Sequence, residues 1–207
     1  REMTMLFQEL KGDIRNLLSD HMTKGDVLKQ KVDQFINSHW PESHTETLIA
    51  HNFDFSETSR LHKILIREVQ EVLKNELSMS NALLLENEID INTVLRKAES
   101  GMLAHGIYLF SESEDGMAYV IIGDIHSDDQ TVTKLLENIQ FYEKVAMHSK
   151  IKLIFMGDYV DRGRAHLKTM ERILLLKILF PKHIFLLRGN HDGGKFNEDG
   201  TIKLPYR

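Results

Sequence analysis

The sequence predicts an α/β chain, α+β overall, in which a helical N-terminal region precedes a parallel-sheet unit. Three observations carry this. Residues 1 to about 98 place apolar side chains at helical spacing and contain little Gly or Pro. From residue 106 onward, short β-prone runs alternate with helical stretches, the pattern of βαβ units. Three short polar strings each follow an apolar run, and the steps from Asp124 to Asp158 and from Asp158 to Asn190 are 34 and 32 residues. That is about the length of one strand-helix-strand unit.

Phe7, Leu10, Ile14, Leu17 and Leu18 form one face of a first helix. Leu28, Val32, Phe35 and Ile36 do the same in a second, ending near Trp40-Pro41. Ser43 with Glu46 forms a capping box, and Leu61, Leu65, Val69, Val72 and Leu73 mark a longer third helix. Asn92 caps a fourth over Thr93 to Glu99. The polar cluster from Glu86 to Asn92 separates the two halves, giving a helical region over 1–98 and a second unit over 99–207. Ile107 to Phe110 and Ala118 to Ile122 flank Ser-Glu-Ser-Glu-Asp-Gly and predict a hairpin. A helix from about Asp129 to His148 follows, opened by a capping box of Ser127 and Gln130. Then come the strand Ile151 to Met156, a helix over Ala165 to Phe180, and the strand His183 to Leu187. The helix over 165–180 is apolar on most faces, so burial is expected.

The polar strings are Gly123-Asp124-Ile125-His126, Gly157-Asp158-Tyr159-Val160-Asp161-Arg162-Gly163 and Arg188-Gly189-Asn190-His191-Asp192. Ligands of open α/β sheets bind beyond the carboxyl ends of strands, where all three strings fall. Two carboxylates, an amide oxygen and an imidazole make a mixed O/N set, suited to a pair of divalent metals rather than to structural zinc. An extended two-residue step would point Asp124 and His126 the same way, so that both serve one metal. Asp158 can give one oxygen to each of two metals, or merely cap the next turn. Asn190 offers an amide oxygen, or sits in a turn that tolerates left-handed backbone. Arg162 has the planar fork that suits phosphate oxygens, and an ion pair to Asp158 or Asp161 is the other reading. Arg188 suits a supporting role at least as well as a direct one. By residue chemistry alone, His191 reads as one more metal ligand.

The three strings together resemble the signature of the metal-dependent phosphoprotein phosphatases, within the calcineurin-like metallophosphoesterases. The middle string discriminates, since many phosphoesterases share the outer two. The resemblance covers roughly residues 105 to 207. Ser127 stands where that family usually has Gly. Asp192 stands where eukaryotic members usually have Glu, so the chain looks more like bacterial members. The resemblance implies the first βαβαβ half of a metallophosphoesterase sandwich, truncated after its N-terminal part. It implies two-metal hydrolysis of phosphate monoesters, above all by a serine/threonine protein phosphatase, with Mn, Fe or Zn as the two divalent metals. Asp124, His126, Asp158 and Asn190 become the metal ligands. His191 becomes the general acid, Asp161 the group that orients it, and Arg162 the residue that binds substrate phosphate. Relatives with this signature also cleave dinucleoside polyphosphates. The family draws two further His ligands and an Arg from downstream of Gly-Asn-His, and no His follows His191 here. The expectation is a weakly active or inactive fragment, with a regulatory or scaffold protein as the alternative.

Composition narrows the partners. A hydrophobic content of 42% and a charged content of 28% suit a soluble globular protein. A formal net charge of -5 gives no basic footprint for nucleic acid. The absence of Cys excludes disulfides and thiolate metal sites. The longest apolar stretch, Ile173 to Phe180, is too short to span a bilayer, and Glu2 and Glu9 interrupt any leader-like start. A cytoplasmic protein is expected, with a phosphoprotein or other phosphate ester as substrate, no membrane partner, and self-association through an uncovered sheet face. The helical region reads as regulatory or partner-binding from position alone. The nine other histidines read as structural, and the nine methionines as core filler.

Overall fold

The computed structural model describes residues 2–40, 53–84, 101–104, 107–109, 117–193, 195–199 and 202–203. The Ser43–Glu46 capping box, the boundary at Glu86–Asn92, the helix over Thr93–Glu99 and the 111–116 connection lie outside the described residues.

Three helices lead the chain: α1 (Glu2–Ser19), α2 (Gly25–Asn37) and α3 (Phe55–Leu84). Their predicted stripes are the buried ones. Phe7, Leu10 and Ile14 of α1, Leu28, Val32, Phe35 and Ile36 of α2, and Leu61, Leu65 and Val69 of α3 enter one continuous core. That core runs on into the α/β unit, whose strands are β3 (Ala118–Ile122), β4 (Ile151–Phe155) and β5 (Ile184–Leu186). They form a parallel sheet in the order β3-β4-β5, with Ala118 opposite Ile151 and Leu153 opposite Ile184. The crossovers are α4 (Asp129–Asn138) with α5 (Phe141–Ala146), and α6 (His166–Leu179). The α/β class with a helical N-terminal region is therefore the observed one.

Three local expectations are corrected. The hairpin does not join 107–110 to 118–122. Instead β1 (Gly101–Ala104) pairs antiparallel with β2 (Ile107–Leu109), while β3 pairs in parallel with β4. The helix expected over 129–148 breaks at Gln140, which is left-handed at φ 54° and ψ 44°. The break re-phases the chain, so that Phe141, Tyr142, Val145 and Ala146 all face the core. The N-cap of α4 is Asp128, not Ser127: its side chain accepts from the Thr131 amide at 2.9 Å and the Thr131 hydroxyl at 2.7 Å. Ser127 sits at φ 64°, outside the extended region that an N-cap residue adopts. Two short strands, β6 (Lys195–Phe196) and β7 (Ile202–Lys203), pair antiparallel after the last motif.

Burial of α6 is as expected, but its charges are buried too. Glu171 is 0% exposed. Its carboxylate meets His39 Nε2 at 2.6 Å and His62 Nε2 at 2.8 Å, and accepts from Trp40 Nε1 at 2.9 Å. Burial alone would push this carboxyl up, but the two imidazoles hold it below the ordinary carboxylate range. Arg172 forks onto Asp129 at 2.6 and 3.2 Å and reaches Asp33 of α2 at 2.9 Å. Lys177 donates to Glu76 of α3 and to the Ile184 carbonyl on β5 at 2.8 Å. Burial lowers its pKa, against the pull of Glu76. So α6 fastens the helical layer to the sheet through paired charges. At the opposite side of the sheet, Ile121 on the edge strand β3 is 69% exposed.

Candidate metal centre

The three polar strings meet at the carboxyl edge of the sheet, and backbone bonds lock the first two together. The amides of Ile125 and His126 donate to the Asp158 carbonyl at 3.1 and 2.9 Å, and the Ser127 amide donates to the Tyr159 carbonyl at 2.9 Å. The third string abuts the second so closely that side chains are excluded. A Cβ on Gly157, whose φ is 107°, would lie 1.9 Å from the Gly189 nitrogen. One on Gly189 would lie 2.1 Å from Asp158 Oδ1. Both positions need glycine.

This packing brings Asp124, His126 and Asp158 together, with one donor atom from each all within 4.8 Å of one another. The route differs from the expected extended step, because His126 is left-handed at φ 46°. Its ring still returns toward Asp124, with Nε2 3.4 Å from Asp124 Oδ2. His126 Nδ1 lies 3.0 Å from the Val160 carbonyl, which can only accept. The proton is therefore on Nδ1, and the Nε2 lone pair is free for a metal, the usual arrangement around ligating histidines.

Asp158 is 6% exposed, and its Oδ1 accepts the His191 amide at 2.8 Å. Among the described residues neither Asp124 nor Asp158 pairs with a lysine or arginine. A buried carboxylate without a cationic partner is costly, and a divalent cation supplies what the side chains do not. The donor set fits such an ion. Asn190 stands between Gly189 and His191, both of which touch Asp158, and is exposed.

His191 Nδ1 lies 3.0 Å from Asp161 Oδ2, and the ring stands perpendicular to that of His126 with centroids 5.2 Å apart. Arg162 is exposed and forms no ion pair with Asp158 or Asp161. With Arg164 and His126 it lines a cavity of about 370 Å³ beside the cluster. Arg188 supports the third loop, donating from Nε to the Asp192 carbonyl at 2.9 Å.

Sequence reasoning missed two residues. Asp192 accepts the Tyr159 amide at 2.8 Å, the Gly189 amide at 2.9 Å and the Asp158 amide, so one carboxylate holds the Asp158 turn. Tyr159 sends its hydroxyl to the Leu187 carbonyl at 2.8 Å, and burial raises its phenol well above the usual range. The signal for Asp192 was its place directly after His191 in the last string. Tyr159 gave none beyond lying inside the second.

Residues 117–207 match the family described as calcineurin-like phosphoesterase. The chain is also 30% identical over 106 residues to the serine/threonine-protein phosphatase PP1-delta of Caenorhabditis elegans, an alignment covering 51% of this chain and 32% of that protein. The chain thus spans about a third of that relative's length. The matched segment includes Asp124, His126, Asp158, Asp161 and His191. No described helix is long and apolar enough to cross a membrane.

Proposed function

We propose that this chain belongs to a two-metal phosphomonoester hydrolase acting on phosphoserine or phosphothreonine in proteins. The observation that carries the reading is the convergence of Asp124, His126 and Asp158 with the His191–Asp161 pair at one sheet edge. Asp124, His126 and Asp158 would hold one divalent metal, and Asp158 and Asn190 would serve the second. Bound there, the metals supply Lewis acidity and a nucleophilic water at neutral pH. Manganese is the first metal to test, followed by iron and zinc. The likeness to a serine/threonine phosphatase supports the substrate class.

The side chains then divide the work. Asp161 accepts from His191 Nδ1 and orients the ring, and the second proton, on Nε2 of the imidazolium, goes to the leaving oxygen. Arg162, exposed beside the cluster, presents two parallel N–H groups to the phosphoryl oxygens.

The test pairs metal binding with leaving-group dependence. Asp158→Asn is expected to weaken manganese binding and turnover together. His191→Ala is expected to keep manganese binding and lose about 10²–10⁴-fold in turnover of a phosphoserine peptide, with little loss on an activated aryl phosphate. Equal losses on both esters would remove His191 from the acid role. Preference for a dinucleoside polyphosphate would overturn the protein substrate while leaving the chemistry.

A further inference from the structure

We infer that His166 is a positioning residue for this site: its Nδ1 lone pair clamps the left-handed loop of Ser127 to that of Asp161. The catalytic consequence rests on the proposed hydrolase reading, whereas the clamp rests on geometry alone.

Neither Ser127 nor His166 has a part in the chemistry described above, yet they touch. Ser127 Oγ lies 2.9 Å from His166 Nδ1, and the Asp161 amide lies 3.3 Å from the same nitrogen. A backbone amide can only donate, so Nδ1 accepts and the His166 proton sits on Nε2. The ring starts α6, which the Glu171 and Arg172 contacts anchor deep in the core. His166 is exposed, and its backbone is set by the helix that these contacts anchor.

What it holds is strained. His126, Ser127, Asp161 and Arg162 adopt φ of 46°, 64°, 67° and 62°, a region that side-chain-bearing residues keep only when their surroundings over-determine them. Ser127 is over-determined: its amide binds the Tyr159 carbonyl, its carbonyl accepts the Ala165 amide, and its hydroxyl reaches His166. The peptide between Val160 and Asp161 is held at both ends by histidines. Its carbonyl accepts from His126 Nδ1 at 3.0 Å, and its N–H donates to His166 Nδ1. One peptide plane therefore sets both the ligand ring of His126 and the carboxylate that orients His191. His166 acts on the acid through Asp161.

Long-range ¹⁵N spectra of the labelled full chain, read beside turnover, test the clamp. His166 is expected as the Nε2–H tautomer with an acceptor Nδ1. His166→Ala should move the His191 ring resonances and lower kcat about 10–100-fold with KM nearly unchanged. His166→Asn, whose side-chain carbonyl can accept the same two bonds, should restore most of both. A His166 protonated at Nδ1 would overturn the clamp. So would unmoved His191 resonances in His166→Ala, or a His166→Asn variant as impaired as His166→Ala. If His166→Ala does not fold, the tautomer and the His166→Asn variant decide. Absence of both manganese binding and turnover in the unaltered chain would count against the hydrolase reading, and the tautomer and His191 resonances would still decide the clamp.

Discussion

The helical layer and the site loops are built on opposite terms. Of the seven non-glycine residues with positive φ among the described residues, five lie in the loops that carry His126 and Asp158 to Arg162, and none lies in α1, α2 or α3. Charge is distributed the other way. Where the helical layer meets α6, buried Glu171, Arg172 and Lys177 each have partners of complementary charge or hydrogen-bonding type. At the sheet edge, Asp124 and Asp158 have no lysine or arginine partner among the described residues. One region has relaxed backbone and satisfied charge, and the other has strained backbone and unsatisfied charge. Strain and uncompensated charge together mark the place where a ligand completes the structure.

This contrast can be broken by moving stability and metal binding independently. Removing Glu171 should have the largest effect. Glu171→Ala strands the donors of His39, Trp40 and His62, and should cost about 3–5 kcal/mol in urea unfolding. Manganese affinity of the folded fraction should stay within about twofold, since the network does not touch the cluster. A cost below about 1 kcal/mol would show that the layer is not held by this network. Asp192→Ala should cost less, about 1.5–3 kcal/mol for a charged acceptor of several backbone amides. Here manganese affinity should fall with stability, because the Asp158 turn loosens. Normal affinity in that variant would end the parallel between strain and site.

The pH dependence sharpens the same contrast. The folded Glu171 carboxyl lies below its ordinary value of 4.5, so its folded form binds the proton less readily than the unfolded one. Its contribution is fully present above that ordinary value and is lost as pH falls through the folded value. Acid unfolding of the wild-type chain should therefore steepen below about pH 4.5, and Glu171→Gln should flatten that part of the curve. An unchanged acid limb in the variant would assign acid sensitivity elsewhere. The smallest effect belongs to Ile121→Thr on the open edge strand. Stability should stay within about 0.5 kcal/mol, while self-association in sedimentation velocity falls.

Much of this was legible in the residues. Helical periodicity found the buried faces of α1, α2 and α3, and the spacing of the three strings brought Asp124, His126 and Asp158 to one sheet edge. Those signals survive in sequence because they are periodic or local. What stayed hidden is long-range or conformational. Glu171, Arg172 and Lys177 look like solvent-facing interruptions in an apolar helix until partners from α2, α3 and the segment around Trp40 arrive. The break at Gln140 carries no Gly or Pro to announce it. Asp124 and His126 converge through a left-handed turn, which an alternation rule built on extended backbone does not anticipate.

The Glu171 network also has a consequence for biosynthesis. Trp40 and His62 precede their shared carboxylate by 131 and 109 residues. At a synthesis rate of about 5–20 residues per second, Trp40 emerges roughly 7–26 s before Glu171 exists. During that interval the helical layer presents an indole and two imidazoles with no acceptor, on a face that is also apolar. The helical layer therefore leaves the ribosome with this face still lacking the carboxylate that α6 later brings.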